Sequence, residues 1–417
     1  MEKQKCPEIR FKGFNQAWIE KKLKSVSFKV IEKNLNSLYT ETFTNSAQFG
    51  VVSQRDFFDK DISNSSSIKG YYVVKENDFI YNPRISNFAP VGPIKRNKLG
   101  RIGVVSPLYF VFRVHGLDYQ FLETYFESSK WHHFMFLNGD TGARSDRLAI
   151  KDSILIEMLI YCPDEKTQKD IGKFFQHLDQ SIALHQKKLA QTQNLKKAML
   201  EKMFPKAGDK QPEIRLKGFS GDWPGLRIFD LAQNGKLNNG VFNDQNKIGK
   251  GYKLINVLDM YIETSIDEKK LTLLDLDRKE FEQNKVKYGD VFFTRSSLVK
   301  EGIAFSNVYL GHSNDITYDG HLIKLSPNLE LVDPIFLNYC LKSSKIRTQL
   351  ILGGKSTTMT TIGQQEVGET IVGLPSMSEQ LKIGQFFKRL DETLLLQQQK
   401  LQTLKNLKRA FLEKMFV

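Results

Sequence analysis

Residues 375–416 read PSMSEQLKIGQFFKRLDETLLLQQQKLQTLKNLKRAFLEKMF, and residues 163–204 read PDEKTQKDIGKFFQHLDQSIALHQKKLAQTQNLKKAMLEKMF. The two stretches lie 212 positions apart, align without a gap and agree at 21 of 42 positions. A period that long is not that of a solenoid or propeller; one long unit has been duplicated once.

Each copy has the pattern of a long helix. In the first, Ile171, Phe175, Leu178, Ile182, His185, Leu189, Thr192, Lys196, Met199 and Met203 follow one another in steps of four and three. The second repeats the phase with Ile383, Phe387, Leu390, Leu394, Gln397, Leu401, Leu404, Lys408, Phe411 and Met415. Alternating steps of this kind make a seam that is buried against a partner helix. Pro163 and Pro375 precede the helices, where proline's missing N–H is tolerated, and Pro205 stops the first. Forty residues at 1.5 Å each give a rod of roughly 60 Å. One copy alone would suit the core of a globular domain. Two copies in the same phase supply each other's mate, which predicts an intramolecular two-helix coiled coil. The polar seam positions His185, Gln397, Lys196 and Lys408 then set its register.

A second repeat opens each half: PEIRFKGFNQAW at 7–18 and PEIRLKGFSGDW at 212–223. The plan is therefore opener, variable block, long helix, and the same again. Block 19–161 mixes β-branched and aromatic runs (GVVSQ, KGYYVV, NDFIYN, IGVVSPLYFVFRV) with turn residues, then a helical patch at 117–136. Block 226–373 keeps the order, with KLINVLDM, YGDVFFTR, EGIAFSN and HLIKLS before a helix over 333–352. The fold class is α+β. The expected division is 1–161, 162–205, 206–373 and 374–417, as two mixed domains each followed by a rod. KENDFIYNPR at 75–84 corresponds to VKYGDVFFTR at 286–295, with Asp78 matching Asp290. A glycine-bearing loop follows each block's helix, at 138–150 and 353–362.

The 417 residues have ordinary hydrophobic and charged content, 40% and 26%. No apolar run is long enough to cross a membrane, and MEKQKCPEIRFKG lacks the apolar stretch of a secretory signal, so a cytoplasmic location is expected. Cys6, Cys162 and Cys340 are too scattered for a disulfide framework or a zinc knuckle. A net charge of +14 lowers the cost of approaching a polyanion.

No catalytic or metal-binding constellation emerges. GGKS at 353–356 lacks the leading glycine of a phosphate loop, since Gln349 stands there. Asp164 and the Glu268–Lys270 pair are too dispersed for a nuclease centre. Asn82-Pro83-Arg84 breaks the pattern of an amino-methyltransferase, and His132 and His133 point apart on a helix. Chemistry for touching nucleic acid remains. In the first block this is Asn82, Arg84, Lys95, Arg96, Lys98, Arg101, Arg144 and Arg147; in the second it is Lys250, Lys253, Thr294, Arg295, Ser296, Ser297, Lys300, Lys355 and Thr357. Guanidinium forks grip phosphates or read guanine edges, and asparagine reads adenine.

The motif I-G-x-F-F-x-x-L-D (171–179, 383–391), with N-L-K-x-A-x-L-E-K-M-F (194–204, 406–416), P-E-I-R-x-K-G-F (7–14, 212–219) and GVVSPLYFVF (103–112), resembles the specificity subunit of type I restriction–modification enzymes. The resemblance covers essentially the whole chain. It implies two target-recognition domains, each reading half of a bipartite DNA site, with the two helices paired as an antiparallel coiled coil that serves as spacer and docking surface. It implies as partners double-stranded DNA, two modification subunits that methylate adenine, and motor-nuclease restriction subunits. S-adenosylmethionine, ATP and Mg would sit on those partners, and this chain would be non-catalytic. Such domains would meet major grooves about one helical turn, roughly 34 Å, apart. Readings of another class are a self-contained DNA-modifying enzyme and a coiled-coil scaffold that does not read DNA.

Overall fold

In the computed structural model, which describes residues 6–14, 16–58, 67–141, 146–356 and 359–417, each opener leads into a two-stranded ribbon that closes its block. Ile19–Lys22 pairs antiparallel with Leu159–Cys162, and Gly225–Arg227 pairs with Ile371–Gly373. The ends of each block are thereby stitched together directly before a long helix begins. Trp18 and Trp223, the last residues of the openers, are buried beside these ribbons' cores.

Two compact units result, one of Met1–His185 with Lys400–Val417 and one of Gln186–Gln399. The first is built on a sheet with the spatial order Ser27–Lys29, Phe110–Val114, Phe79–Tyr81, Ile94–Arg96. In the second the order is Asn238–Asn239, Leu322–Leu325, Val291–Thr294, Ser306–Val308. Every neighbouring pair is antiparallel in both. The central strands are unbroken apolar runs because both of their faces are covered. Phe79, Tyr81, Phe110 and Phe112 enter one core while Ile80 and Val111 enter another. Val291 and Phe293 likewise part from Phe292.

The corresponding aspartates have the same local duty. Asp78 accepts from Lys75 N at 2.8 Å and Asp290 from Lys287 N at 2.9 Å, each closing the turn into its central strand. Their counter-charges differ. Arg113 forks onto Asp78 at 2.6 and 2.8 Å, whereas Asp290 has Lys324 at 3.7 Å, and burial raises its pKa.

The helix expected over 117–136 is two helices, Tyr119–Tyr125 and His132–Asn138, and that over 333–352 is Pro334–Leu341 and Ser344–Gly353. The same device makes both breaks. The hydroxyls of Ser128 and Ser343 donate at 2.6 Å to carbonyls three residues back, Tyr125 O and Cys340 O, and take the place of a continuing helical turn.

The long helices span Glu165–Lys202 and Met377–Lys414. Their starts are latched to the domains by residues of the duplicated motif. Gln168 accepts from Asp118 N at 3.0 Å and donates to Pro163 O at 2.8 Å; Gln380 accepts from Asp333 N at 2.9 Å and donates to Pro375 O at 2.9 Å. One turn on, Gly172 and Gly384 let the N-termini of the domain helices approach. A Cβ at Gly172 would lie 3.1 Å from Asp118 Oδ1 and Phe121 N, and one at Gly384 3.0 Å from Asp333 Oδ1 and 3.1 Å from Phe336 N. A branched side chain has no room in either place. Gly172→Leu is expected to destabilise the first unit by about 1–3 kcal/mol or more, as overpacking does. A urea midpoint equal to that of the unmodified protein would refute this account of the glycine.

Every seam position named from the sequence is buried or half-buried. In the first unit residues 165–185 meet the end of the second helix: Phe174 and Phe411 rings stand 5.1 Å apart, and Lys408 Nζ reaches Asp179 at 2.5 Å and Glu127 at 2.7 Å. In the second unit residues 186–202 meet the start of the other helix. There Gln397 donates to Thr192 Oγ1 at 3.3 Å, Lys196 lies 2.6 Å from Asp391, and the Phe204 and Phe387 rings are 5.8 Å apart. Contacts in both units run antiparallel. In each, the seam lysine of one copy neutralises the aspartate that ends I-G-x-F-F-x-x-L-D in the other.

Near Lys196, burial and then that lysine's charge bring the Lys342 ammonium down to about 8 from its ordinary 10.5. Below pH 8 this group is protonated folded and unfolded; between the two values it loses its proton first in the folded state. Stability should therefore rise from pH 8 to 10.5. Lys342→Met should remove that rise from the pH dependence of the second unit's unfolding, and an unchanged slope would contradict the assignment.

Candidate nucleic-acid interface

Beyond each central strand the chain enters a loop that lies against the glycine-bearing loop of the same unit. In the first unit the strand Phe79–Tyr81 ends at Asn82, whose amide donates to Asn45 O at 2.8 Å and accepts from Arg84 N at 3.0 Å. Asn82 is thus a buried anchor and not a surface group: its amide is used in shaping the loop. Leu148 N then donates to Pro83 O at 2.8 Å and Ile85 N to Asp146 O at 3.0 Å, which sets Arg84 opposite Arg147 in an antiparallel bridge. Directly opposed residues share a face with their Cβ atoms about 5 Å apart, and like charges so placed repel. Both guanidiniums are exposed and neither has a side-chain partner among the described residues. An anion between them would relieve the repulsion.

In the second unit Ser296–Ser297 pairs antiparallel with Thr360–Thr361, which pairs in turn with Lys355–Ser356. Thr294 is buried, and its hydroxyl accepts from Phe305 N at 3.0 Å, so it too is an anchor. Arg295 donates to Gly320 O at 3.0 Å, and Lys355 lies 3.1 Å from Glu366. Lys300 is exposed and without a side-chain partner among the described residues. The first unit thus presents two bare guanidiniums at this place, and the second presents hydroxyls with a lysine.

The remaining cations lie elsewhere. Arg96 donates to Glu123, at 3.1 and 2.7 Å, and to Gln120 and Asn77; Lys98 pairs with Glu123 at 2.6 Å and Lys95 with Glu127 at 3.8 Å. Arg101 forks onto Glu41 at 2.7 Å, and that guanidinium holds the Glu41 carboxyl below the usual carboxylate range. The strand Ile248–Ile255 carries Lys250, 3.0 Å from Asp275, and Lys253, 3.2 Å from Asp315. GPIKRNKLGR is therefore basic in composition but largely neutralised in place. Arg144 and Thr357 lie outside the described residues.

Arg347 is a positioning residue with no local sequence signal. From the helix Ser344–Gly353 its guanidinium donates to the carbonyls of Ala304, Glu301 and Ile303 at 2.7, 2.9 and 2.7 Å, and fixes the far side of the loop that carries Lys300. Cys162 and Cys340 are buried thiols and Cys6 is exposed; burial raises the pKa of both buried ones. Among the described residues, no group of three or more histidine, cysteine, aspartate or glutamate side chains could hold a metal ion. No described helix is long and apolar enough to cross a membrane.

Residues 222–406 match the family described as the type I restriction modification DNA specificity domain. A putative type I restriction enzyme MjaX specificity subunit of Methanocaldococcus jannaschii is 22% identical over 197 residues, which are 47% of this chain and 45% of that one. The chain spans about half the length of that curated relative. Three solved structures share the fold at 14% identity. The HsdS subunit from Thermoanaerobacter tengcongensis aligns with a TM-score of 0.50 over 98% of this chain and 99% of its own. The type I S subunit from M. genitalium aligns at 0.54 over 99% of each. A chain from work on complex assembly and conformational transition of the type I R-M system aligns at 0.55, over 97% and 98%.

Proposed function

We propose that this chain, a member of the type I restriction–modification specificity-subunit family, reads an asymmetric bipartite site in duplex DNA, one half-site with each target-recognition domain, and that it performs no chemistry itself. The observation that carries this is the juxtaposition of two loops beyond the central strand in both units, with the Arg84 and Arg147 guanidiniums, which have no side-chain partner among the described residues, at that place in the first. Unpaired cations on a fixed backbone are suited to phosphates or guanine edges. The chemical difference between the two loop pairs favours two unlike half-sites. Residues 1–161 and 206–373 would be the readers, and 162–205 and 374–417 the spacer and docking surface. Two modification subunits would dock there, with restriction subunits joining them; S-adenosylmethionine, ATP and Mg would belong to those partners, in the cytoplasm.

The test is to express the chain with a type I modification subunit in a methylation-deficient bacterial host and map methylated adenines across the genome. A motif of two different specific parts flanking unspecified base pairs is expected. A palindromic or uninterrupted motif, or none at all, would count against the reading. Deleting seven residues within 163–204 should change the gap between the parts and leave both parts intact. A changed half-site in that variant would remove the spacer role.

A further inference from the structure

The loops that carry the cations without side-chain partners among the described residues also hold two exposed apolar side chains. In the first unit Ser86 and Ala89 exchange backbone hydrogen bonds at 3.0 Å in both directions, so that Asn87 and Phe88 form the tip of a two-residue turn. Ile85 packs on one core and Ala89 and Val91 are buried, which holds the turn from both sides. Phe88 at its tip is 76% exposed and touches no other ring among the described residues. In the second unit Leu298 is 85% exposed. Val299 N donates to Ser297 Oγ at 3.3 Å, Gly302 N donates to Val299 O at 3.0 Å, and the Arg347 fork grips the three carbonyls that follow.

A single exposed apolar residue is common and by itself means nothing. These two share the same topological place, just beyond the central strand, in halves whose blocks scarcely agree in sequence. Each stands close in sequence to a cation with no side-chain partner among the described residues, Arg84 in one loop and Lys300 in the other. Cations that draw phosphates to a fixed loop bring its tip against the bases. An apolar tip pressed there can enter between two base pairs and unstack them, as phenylalanine and leucine wedges do in proteins that kink DNA.

We propose that Phe88 and Leu298 are wedges, each entering the base stack at one step of its half-site. The inference rests on the DNA-reading function above and adds a mode of readout to it. A wedge favours steps that unstack at low cost, pyrimidine followed by purine, and so discriminates sequence without a hydrogen bond to a base edge.

The experiment uses the complex of the chain with its modification subunits and duplexes carrying its methylated motif, with 2-aminopurine placed at successive positions. A rise in fluorescence confined to one step in each half-site is expected on binding. Phe88→Ala should abolish the rise in one half-site and weaken binding roughly tenfold, the scale of losing one aromatic contact with a base. Leu298→Ala should abolish it in the other half-site. Phe88→Trp should keep the rise, and because Phe88 and Leu298 both project into solvent all three variants should melt with the unmodified protein. Selective binding with no fluorescence change at any step overturns the wedges and leaves the DNA-reading function standing. Unchanged DNA affinity of Phe88→Ala with loss of the modification subunit would make the tip a protein contact and overturn them too. Absence of any sequence-selective binding by the unmodified complex removes the reading itself.

Discussion

Lys196→Ala is expected to destabilise the unit of residues 186–399 by about 3–5 kcal/mol, the range for breaking one side of a buried ion pair. Asp391 is only 4% exposed and Lys196 13%, at a separation of 2.6 Å. The same carboxylate also accepts from the Tyr339 hydroxyl at 2.6 Å. Removing the lysine leaves a buried charge with a neutral donor only. The pull of Asp391 on Lys342 offers some compensation, because Lys342 would regain basicity once Lys196 is gone, so the loss should fall at the lower end. The pseudo-equivalent Lys408→Ala should cost less, since its partners Asp179 and Glu127 are 43% and 23% exposed, against 4% for Asp391, and water screens them. Trp223 belongs to the second unit and reports its unfolding in urea, while Trp18 and Trp131 report the first. Replacing Lys196 by Met together with Asp391 by Asn should recover much of the loss. Equal losses for Lys196→Ala and Lys408→Ala would defeat the argument, because burial would then have decided nothing.

The double replacement Arg84→Glu and Arg147→Glu should lower DNA affinity of the assembled complex by about a hundredfold or more, each site contributing the 1–3 kcal/mol typical of a lost arginine contact. It should also flatten the salt dependence, because fewer counterions are released on binding. Methylation of the motif should fall accordingly, with the fold unaffected, since neither side chain has a partner to lose among the described residues. Arg96→Gln is the contrasting case. Its guanidinium is tied to Glu123, Gln120 and Asn77, so stability should drop while DNA affinity holds. The reverse outcome, with Arg96→Gln impairing DNA binding and the glutamate pair silent, would move the interface to GPIKRNKLGR.

The seam of the long helices was legible residue by residue because helical periodicity is a local property, and duplication doubled the signal. The central strands were legible as apolar runs for the same reason. The helices over 117–136 and 333–352 were over-extended because Ser128 and Ser343 break them with single hydroxyl contacts that leave no periodicity behind. Local sequence marks candidate cations by type but does not sort them. Nothing local separates Arg84 from Arg96; what separates them is Glu123, 39 and 27 residues further along the chain, which reaches only the second.

By itself the amino-acid sequence determined the twofold plan of opener, block and rod and the phase of the seam. Each of these is written in residue order and survives without knowledge of contacts. Only the tertiary structure decided that Gly172 and Gln168 latch a rod to its domain, that Lys196 and Lys408 answer the aspartates of the opposite copy, and that Asn82 and Thr294 are anchors. It also decided which basic side chains have no side-chain partner among the described residues. The reason is that burial and charge neutralisation depend on what the folded chain brings within a few ångströms, and those partners are scattered across the sequence.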